Sequence, residues 1–191
     1  MLVDVARRLF AKKGLEETTM NDISQASGKG RRTLYTYFRS KEDIYEAVVE
    51  AEMERLSGEM AKVAAKPMPP EEKLVAIIFS HLDSIKEVVQ RNGNMRAQFF
   101  RDVWRVSLIR KRFDSNEKKL LAQILTEGER EGIFEMENLP LTVNIIHYCL
   151  RGLEIPYIYG RLETGMSATA SRAAVHRLVH RAIGSKLKKN K

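Results

Sequence analysis

The sequence predicts an all-α protein of about nine helices, with a change of composition and spacing near residue 45. Three observations carry that expectation. Apolar residues recur three and four apart over most of the 191 residues, as one face of an α-helix requires. No stretch sustains the alternation of a half-buried strand. Glycine, proline and asparagine fall between the periodic segments, where helices stop and start.

Taken in order, the first helix runs from Val3 to Lys13 on Val5, Ala6, Leu9 and Phe10, and Gly14 ends it. Thr19 starts the second: its hydroxyl accepts an orphan N–H, and Asp22, three residues on, completes a reciprocal cap. Gly28-Lys29-Gly30 breaks that helix, and a short third spans roughly Arg31 to Phe38. Ser40 caps a long fourth, from Lys41 to about Ala65, which Pro67, Pro69 and Pro70 stop. Pro70 suits the start of the fifth, whose stripe is Leu74, Ile77, Ile78, Leu82, Ile85, Val88 and Val89 with His81 inside it. Asn92-Gly93-Asn94 turns the chain, and later breaks fall at Gly132, at Asn138 with Pro140, and at Gly160 with Gly165. The last two long helices run from about Leu139 to Leu162 and from Ala168 to Gly184. Pro156 is expected to kink or shorten the first of them.

At 43% hydrophobic and 30% charged residues the chain is globular rather than disordered. One cysteine makes no internal disulfide, which suits a reducing, cytoplasmic setting. No apolar run approaches the roughly 20 residues that cross a bilayer. Arg7, Arg8, Lys12 and Lys13 interrupt the apolar stretch near the start, so neither membrane span nor secretory signal is expected. The net charge of +8 is unevenly held. Residues 1–45 carry nine Lys and Arg against six Asp and Glu, residues 46–164 seventeen against nineteen, and residues 165–191 seven against none. Most of the excess is therefore a basic tail, read as solvated. A local feature says more: from Ser24 to Lys41 there are five basic residues and no acidic one, the uncompensated field that phosphate binding uses.

Two short helices joined by a glycine-bearing turn form a helix-turn-helix. The first helix with Ile23 and Ala26 is expected to give its small core, and Leu34 and Phe38, four apart, the inward pair of the third helix. Arg31, Arg32, Thr33, Tyr35, Thr36 and Tyr37 then occupy the remaining faces, with Lys29 in the turn before them. A recognition helix presents its N-terminal residues to base edges in the major groove. Arginine there donates two parallel hydrogen bonds to guanine O6 and N7, and a threonine methyl meets a thymine methyl. Tyrosine hydroxyls, Thr19 and Lys41 suit phosphates, which set position rather than sequence. The helix N-termini near Thr19 and Lys41 add donor N–H groups and a favourable dipole.

The block Gly28…Thr33-Leu34-Tyr35-x-Tyr37-Phe38-x-Ser40-Lys41-Glu42-Asp43-Ile44-Tyr45, preceded by Ala6-x-x-Leu9-Phe10 and Gly14, resembles the DNA-binding domain of the TetR family of bacterial transcriptional regulators. It covers roughly residues 3–48. The resemblance implies a DNA-binding domain over 1–45 and a ligand-binding and dimerisation domain over 46–191. It further implies a homodimer on a palindromic operator, a small-molecule inducer that usually releases the DNA, and neither enzymatic activity nor a cofactor. By position it puts Thr19 and Asn21 at the start of the second helix, where family members often touch DNA. It puts Arg31, Arg32 and Thr33 on the base-reading turn, Tyr35 to Tyr37 on the flank, and Lys41 on the phosphate contact. The last two long helices resemble the family's dimer-forming pair. Lys29 and Gly30 stand where the family usually carries a small apolar residue and a serine or threonine cap, so one buried contact and one side-chain cap are expected to be missing. Two other classes stay open: a non-specific architectural DNA-binding protein that uses the basic tail, and a helical enzyme with a vestigial helix-turn-helix, for which no catalytic constellation is visible.

His81, amid Ile77, Ile78, Leu82 and Ile85, either hydrogen-bonds inside the core or points into a cavity. With Phe99, Phe100, Trp104, His147 and Tyr148 it makes up the candidate ligand-binding set, apolar walls with a few polar groups. Aromatics at helical spacing serve equally as plain core. His176 and His180 read as polar-face residues rather than metal ligands, because residues 165–191 hold no Cys, Asp or Glu to complete a site. Cys149 reads as a small buried hydrophobe, and Glu127, Glu129 and Glu131 as a solvated helix face. Gly28-x-Gly30 follows a helix, not a strand, and lacks the third glycine of a nucleotide loop.

Overall fold

Eight helices account for most of the described residues, which in this computed structural model are 2–92, 103–162 and 165–184, the side chains of 103–108 excepted. They are α1 (Leu2–Lys13), α2 (Met20–Ser27), α3 (Arg31–Tyr37), α4 (Lys41–Ala64), α5 (Pro70–Arg91), α6 (Val103–Arg130), α7 (Leu139–Ile158) and α8 (Ala168–Ile183). About nine were expected; residues 93–102, between α5 and α6, lie outside the described residues. So do Phe99, Phe100, the Trp104 side chain and the basic run 185–191. Among the described residues there is no strand, only an isolated antiparallel bridge between Phe134 and Gly184. Most helix ends fall within two residues of those the sequence predicts. The exception is α7, which stops at Ile158, two residues past Pro156 and short of Leu162. Pro156 lies inside the helix, which ends where Gly160 turns left-handed at φ 66° and the Arg161 N–H donates back to the Pro156 carbonyl at 2.8 Å.

The chain divides into two compact units, Met1–Arg55 with Glu87–Phe113, and Leu56–Lys86 with Asp114–Lys191. In the first, Ala6, Phe10, Ile23, Leu34, Ile44 and Val49 are wholly buried, and Phe10 meets Tyr45 edge-on at 6.3 Å. Each of these side chains larger than alanine contributes about 1.5–3 kcal/mol by leaving water. Ala26 is not among them. Met20, Ile23, Ser24 and Ser27 form the inward stripe of α2, which turns Ala26 to solvent and corrects the expected core; Phe38 is only half-buried. Polar fastening supplements this small core. Glu52 on α4 is buried and accepts from Arg91 on α5 at 2.5 Å and from Arg55 at 3.4 Å, with Arg7 of α1 at 3.8 Å.

In the second unit the buried side chains include Leu74, Ile77 and Leu82 of α5, Leu121, Ile124 and Leu125 of α6, and Val143 and Leu150 of α7. Gly128 leaves room for the Phe134 ring, since a Cβ there would sit 2.1 Å from it. Glu127 departs from the expected solvated face. Its carboxylate accepts from buried Lys73 at 2.7 Å, so Lys73 enters the interior with a counter-ion.

Candidate nucleic-acid interface and interior cavity

The helix-turn-helix is set by local hydrogen bonds. Thr19 caps α2: its hydroxyl accepts the Asp22 N–H at 3.1 Å, and the Asp22 carboxylate accepts the Thr19 N–H at 2.9 Å. That backbone hydrogen bond, with another from the Thr19 hydroxyl, holds the Asp22 carboxyl below its ordinary range. Gly28 ends α2 in the left-handed region at φ 64°, where other residues are strained. Buried Ser24 then ties the turn in both directions. Its hydroxyl donates to the Lys29 carbonyl at 2.6 Å, and its own carbonyl accepts the Lys29 N–H at 3.3 Å. Nothing in the sequence reading pointed to Ser24. Gly30 begins α3 with no side-chain cap, as its departure from the family pattern implies.

Leu34, fully buried, seats α3 and fixes which faces remain outside. Arg31, Arg32, Thr33, Tyr35, Thr36 and Tyr37 are all exposed, as are Asn21 and Lys29. Tyr37 keeps 72% of its surface in water, an unusual exposure for so large a ring. The Arg31 guanidinium lies 5.9 Å from the Tyr35 ring centroid, and the Thr36 hydroxyl donates to the Arg32 carbonyl at 3.0 Å. Lys41 has a second task. Its ammonium donates to the carbonyls of Leu15 and Glu16, both at 2.9 Å, tying the α1–α2 turn to the start of α4. One of its three donors remains for an anion. Ser40 caps α4 by accepting the Asp43 N–H at 3.1 Å, and Asp43 accepts the Arg39 N–H at 2.9 Å, which lowers its pKa. The result is an exposed face of cations, hydroxyls and aromatic rings on a short, well-seated helix. Such a face can hydrogen-bond base edges and phosphates.

The second unit encloses a charge network. Glu117 of α6 is fully buried and accepts from His81 Nδ1 of α5 on one oxygen, and from His147 Nδ1 of α7 at 2.6 Å on the other. His81 Nε2 reaches Glu154 of α7 at 3.2 Å. Burial opposes charge on His81, but the hydrogen bonds to Glu117 and Glu154 outweigh it and raise its pKa to about 9. Burial likewise opposes charge on Glu117, yet the hydrogen bonds from His147 and His81 bring it down to about 2. His81 thus takes the first of its two expected roles, an internal hydrogen bond. Among the described residues no group of three His, Cys, Asp or Glu side chains is arranged to hold a metal ion. His176 and His180 face Glu71, the latter at 2.7 Å.

A separate cavity of about 350 Å³ opens in the same unit. Ile78 and Leu82 of α5 form one wall, Ile146, Cys149, Leu150 and Leu153 of α7 a second, and Ser171, Ala174, Val175, Leu178 and Val179 of α8 a third; Leu162 and Met166 complete it. Of the expected ligand residues, His81, His147 and Tyr148 do not line it, and Phe99, Phe100 and the Trp104 side chain lie outside the described residues. His81 and His147 are held in the network, and Tyr148 is 62% exposed. Cys149, expected to be buried, is exposed at the cavity wall, because the inward face of α7 runs through Val143, His147, Leu150 and Glu154 instead. Beside it α7 carries an exposed apolar seam of Leu141, Ile145, Tyr148, Ile155 and Tyr159, spaced by threes, fours and sevens with Gly152 in the gap. No helix among the described residues is long and apolar enough to cross a membrane.

A profile described as "Bacterial regulatory proteins, tetR family" matches residues 2–48. The HTH-type transcriptional repressor KstR2 of Mycolicibacterium smegmatis is 26% identical over 155 residues, covering 78% of this chain and 72% of that protein. Two uncharacterized HTH-type transcriptional regulators of Mycobacterium tuberculosis are 35% identical over 86 residues, covering 45% of this chain and 43% of theirs. Among solved structures, a transcriptional regulator from Cytophaga hutchinsonii superposes with a TM-score of 0.76 at 21% identity, covering 96% of this chain and 97% of that one. FadR of Bacillus subtilis, in complex with stearoyl-CoA, does so with a TM-score of 0.67 at 20% identity, covering 93% and 95%. These structural likenesses establish a shared fold.

Proposed function

The chain belongs to the tetR family of bacterial regulatory proteins, and from that premise we propose that it is a cytoplasmic repressor that binds a palindromic operator as a homodimer and is released by a small molecule. It is a DNA-binding regulator and not an enzyme. The observation that carries the reading is the exposed face of α3. Arg31, Arg32 and Thr33 lead it, no acidic residue lies between Ser24 and Lys41, and Leu34 fixes its orientation from below. We assign base reading to Arg31, Arg32 and Thr33. Positioning on phosphates falls to Thr19, Asn21, Lys29, Tyr35, Thr36, Tyr37 and the remaining donor of Lys41. The DNA-binding domain is taken as residues 1–45 and the ligand-binding and dimerisation domain as 46–191.

The seam on α7 supports dimerisation. A row of apolar side chains at helical spacing needs cover, and a twofold-related copy presents the same row to itself. Two recognition helices about 34–36 Å apart then enter successive major grooves. Effector and operator oppose each other reciprocally, to the extent of their differential affinity for the two states. The helix α4, continuous from Lys41 to Ala64, belongs to both compact units and is the element to which we assign the coupling. The test is a titration of the protein onto palindromes from its own upstream region. Arg31→Ala or Arg32→Ala is expected to cost about 1–3 kcal/mol and relax base preference at one position. Equal losses on every sequence would remove the reading role.

A further inference from the structure

Resting on the reading of α3 as the operator-facing helix, we propose that Glu52 is a positioning residue for DNA binding: it touches no nucleic acid, and holds α1, and through it α2 and α3, at a fixed angle to α4 and the end of α5. The residue lies beyond the family match at 2–48. It occupies a place suited to an apolar side chain. Val48, Val49, Met53, Leu56 and Met60 form the buried stripe of α4, and Glu52, only 2% exposed, sits within it. A leucine there would complete the stripe without the cost of taking a charge out of water. The carboxylate is met instead by guanidinium groups on α1, α4 and α5. Arg91 of α5 donates to Oε1 at 2.5 Å, and Nε of Arg7 on α1 lies 3.8 Å from the same oxygen. Arg55 donates to Oε2 at 3.4 Å and reaches on to Glu87 of α5 at 3.5 Å. Arg7 is itself aimed by Asp4, which accepts from its Nε at 3.3 Å and its Nη2 at 3.2 Å. Apolar contacts tolerate sliding, whereas charge-assisted hydrogen bonds have a direction. Because α1 packs on α2 and α2 on α3, an angle set at Arg7 is carried to the recognition helix. The pairs on the outer face of α4 differ. Arg112 of α6 lies 3.6 Å from Glu50 and from Glu54, all three exposed, and such pairs constrain little.

Two measurements on the full chain test this. In a Cys149→Ser background, spin labels at Gln25→Cys on α2 and Gln90→Cys on α5, both exposed, report the distance between those helices. Labelled chain is diluted into excess unlabelled chain so that distances within one chain are read. The distribution is expected to be single and narrow. Glu52→Gln should broaden or displace it, and Arg112→Met should not. An unchanged distribution in folded Glu52→Gln protein would overturn the proposal. Anisotropy titrations on the palindrome, at concentrations corrected for folded protein, give the second readout. Glu52→Gln and Arg91→Met should each weaken binding about tenfold, the scale on which residues that touch no ligand modulate its affinity. The double variant should lose little more than either alone, because both act through one linkage. Losses that multiply would overturn that linkage, as would an equal loss from Arg112→Met. Affinity retained in a variant whose distances have moved would overturn the role in DNA binding. Should Glu52→Gln not fold, Arg91→Met, at a partly exposed residue, carries both readouts. Should the unaltered chain bind the palindrome no better than random duplex, the operator reading falls, and the spin-label distances alone decide whether Glu52 positions these helices.

Discussion

Glu117 receives a hydrogen bond on each carboxylate oxygen, from His81 and from His147, with no exposed surface of its own. Glutamine there keeps one acceptor oxygen but turns an amide NH2 toward the second imidazole and removes the charge that both share. Breaking a buried pair from one side typically costs about 3–5 kcal/mol, so Glu117→Gln should lose that much in urea unfolding. The pH dependence follows from the two shifts. The pKa of His81 is raised from 6.5 to about 9, so its contribution is complete below pH 6.5 and vanishes as pH climbs through 9. That of Glu117 is lowered from 4.5 to about 2, so its contribution is complete above pH 4.5 and vanishes as pH falls through 2. Urea midpoints should therefore decline from pH 6.5 to 9, and His81→Gln should flatten that decline; an unchanged slope in the variant would clear His81 of responsibility. The histidine stood out in the sequence because it interrupts an apolar stripe. Its partners did not, since Glu117 and Glu154 lie 36 and 73 residues away and only the folded chain brings them together. Lys41 likewise read as a phosphate contact, and the structure adds its grip on Leu15 and Glu16. Lys41→Ala should weaken binding to all duplexes alike, flatten the salt slope by about 0.9, and lower stability by about 1 kcal/mol. Normal stability with normal salt dependence would contradict both roles.

Whole elements were most legible where their causes are local. The end of α1, both ends of α2 and the start of α4 follow from Gly14, the Thr19–Asp22 box, left-handed Gly28 and the Ser40 cap. The bond from the Ser24 side chain to the Lys29 carbonyl closes a tertiary turn rather than a capping pattern, and so left no sequence signal. Its removal is informative. Ser24→Ala leaves that carbonyl short of a partner and should cost about 1–3 kcal/mol, with a parallel loss of operator affinity as α3 loses its fixed approach. Retained affinity in a destabilised variant would show that the turn matters for folding alone. The helix α7 was harder to read. Apolar residues occupy most of its circumference, so which of them face the core, the cavity or solvent is decided by neighbours. Cys149 was misplaced and the seam through Tyr148 went unseen for the same reason. The end of α7 is local again: left-handed Gly160 stops it, while Pro156 lies inside the helix.

At the scale of the whole molecule, the proposed symmetric dimer uses the exposed face of α3 and the seam on α7. One recognition helix of seven residues reaches few base pairs, and two bound to one rigid partner square the discrimination. Substituting the seam tests this without touching the DNA face. Ile145→Glu should give a monomer by sedimentation and lose operator affinity by about a hundredfold or more; a dimer of normal affinity would place the interface elsewhere. The most direct measurement is a fluorescence-anisotropy titration on two duplexes that share identical half-sites. In one the half-site centres lie a helical turn apart, and in the other about five further base pairs, half a turn, separate them. Twofold docking predicts that the inserted duplex binds about a hundredfold more weakly, down to the level of random sequence. Equal affinity for the two would contradict it.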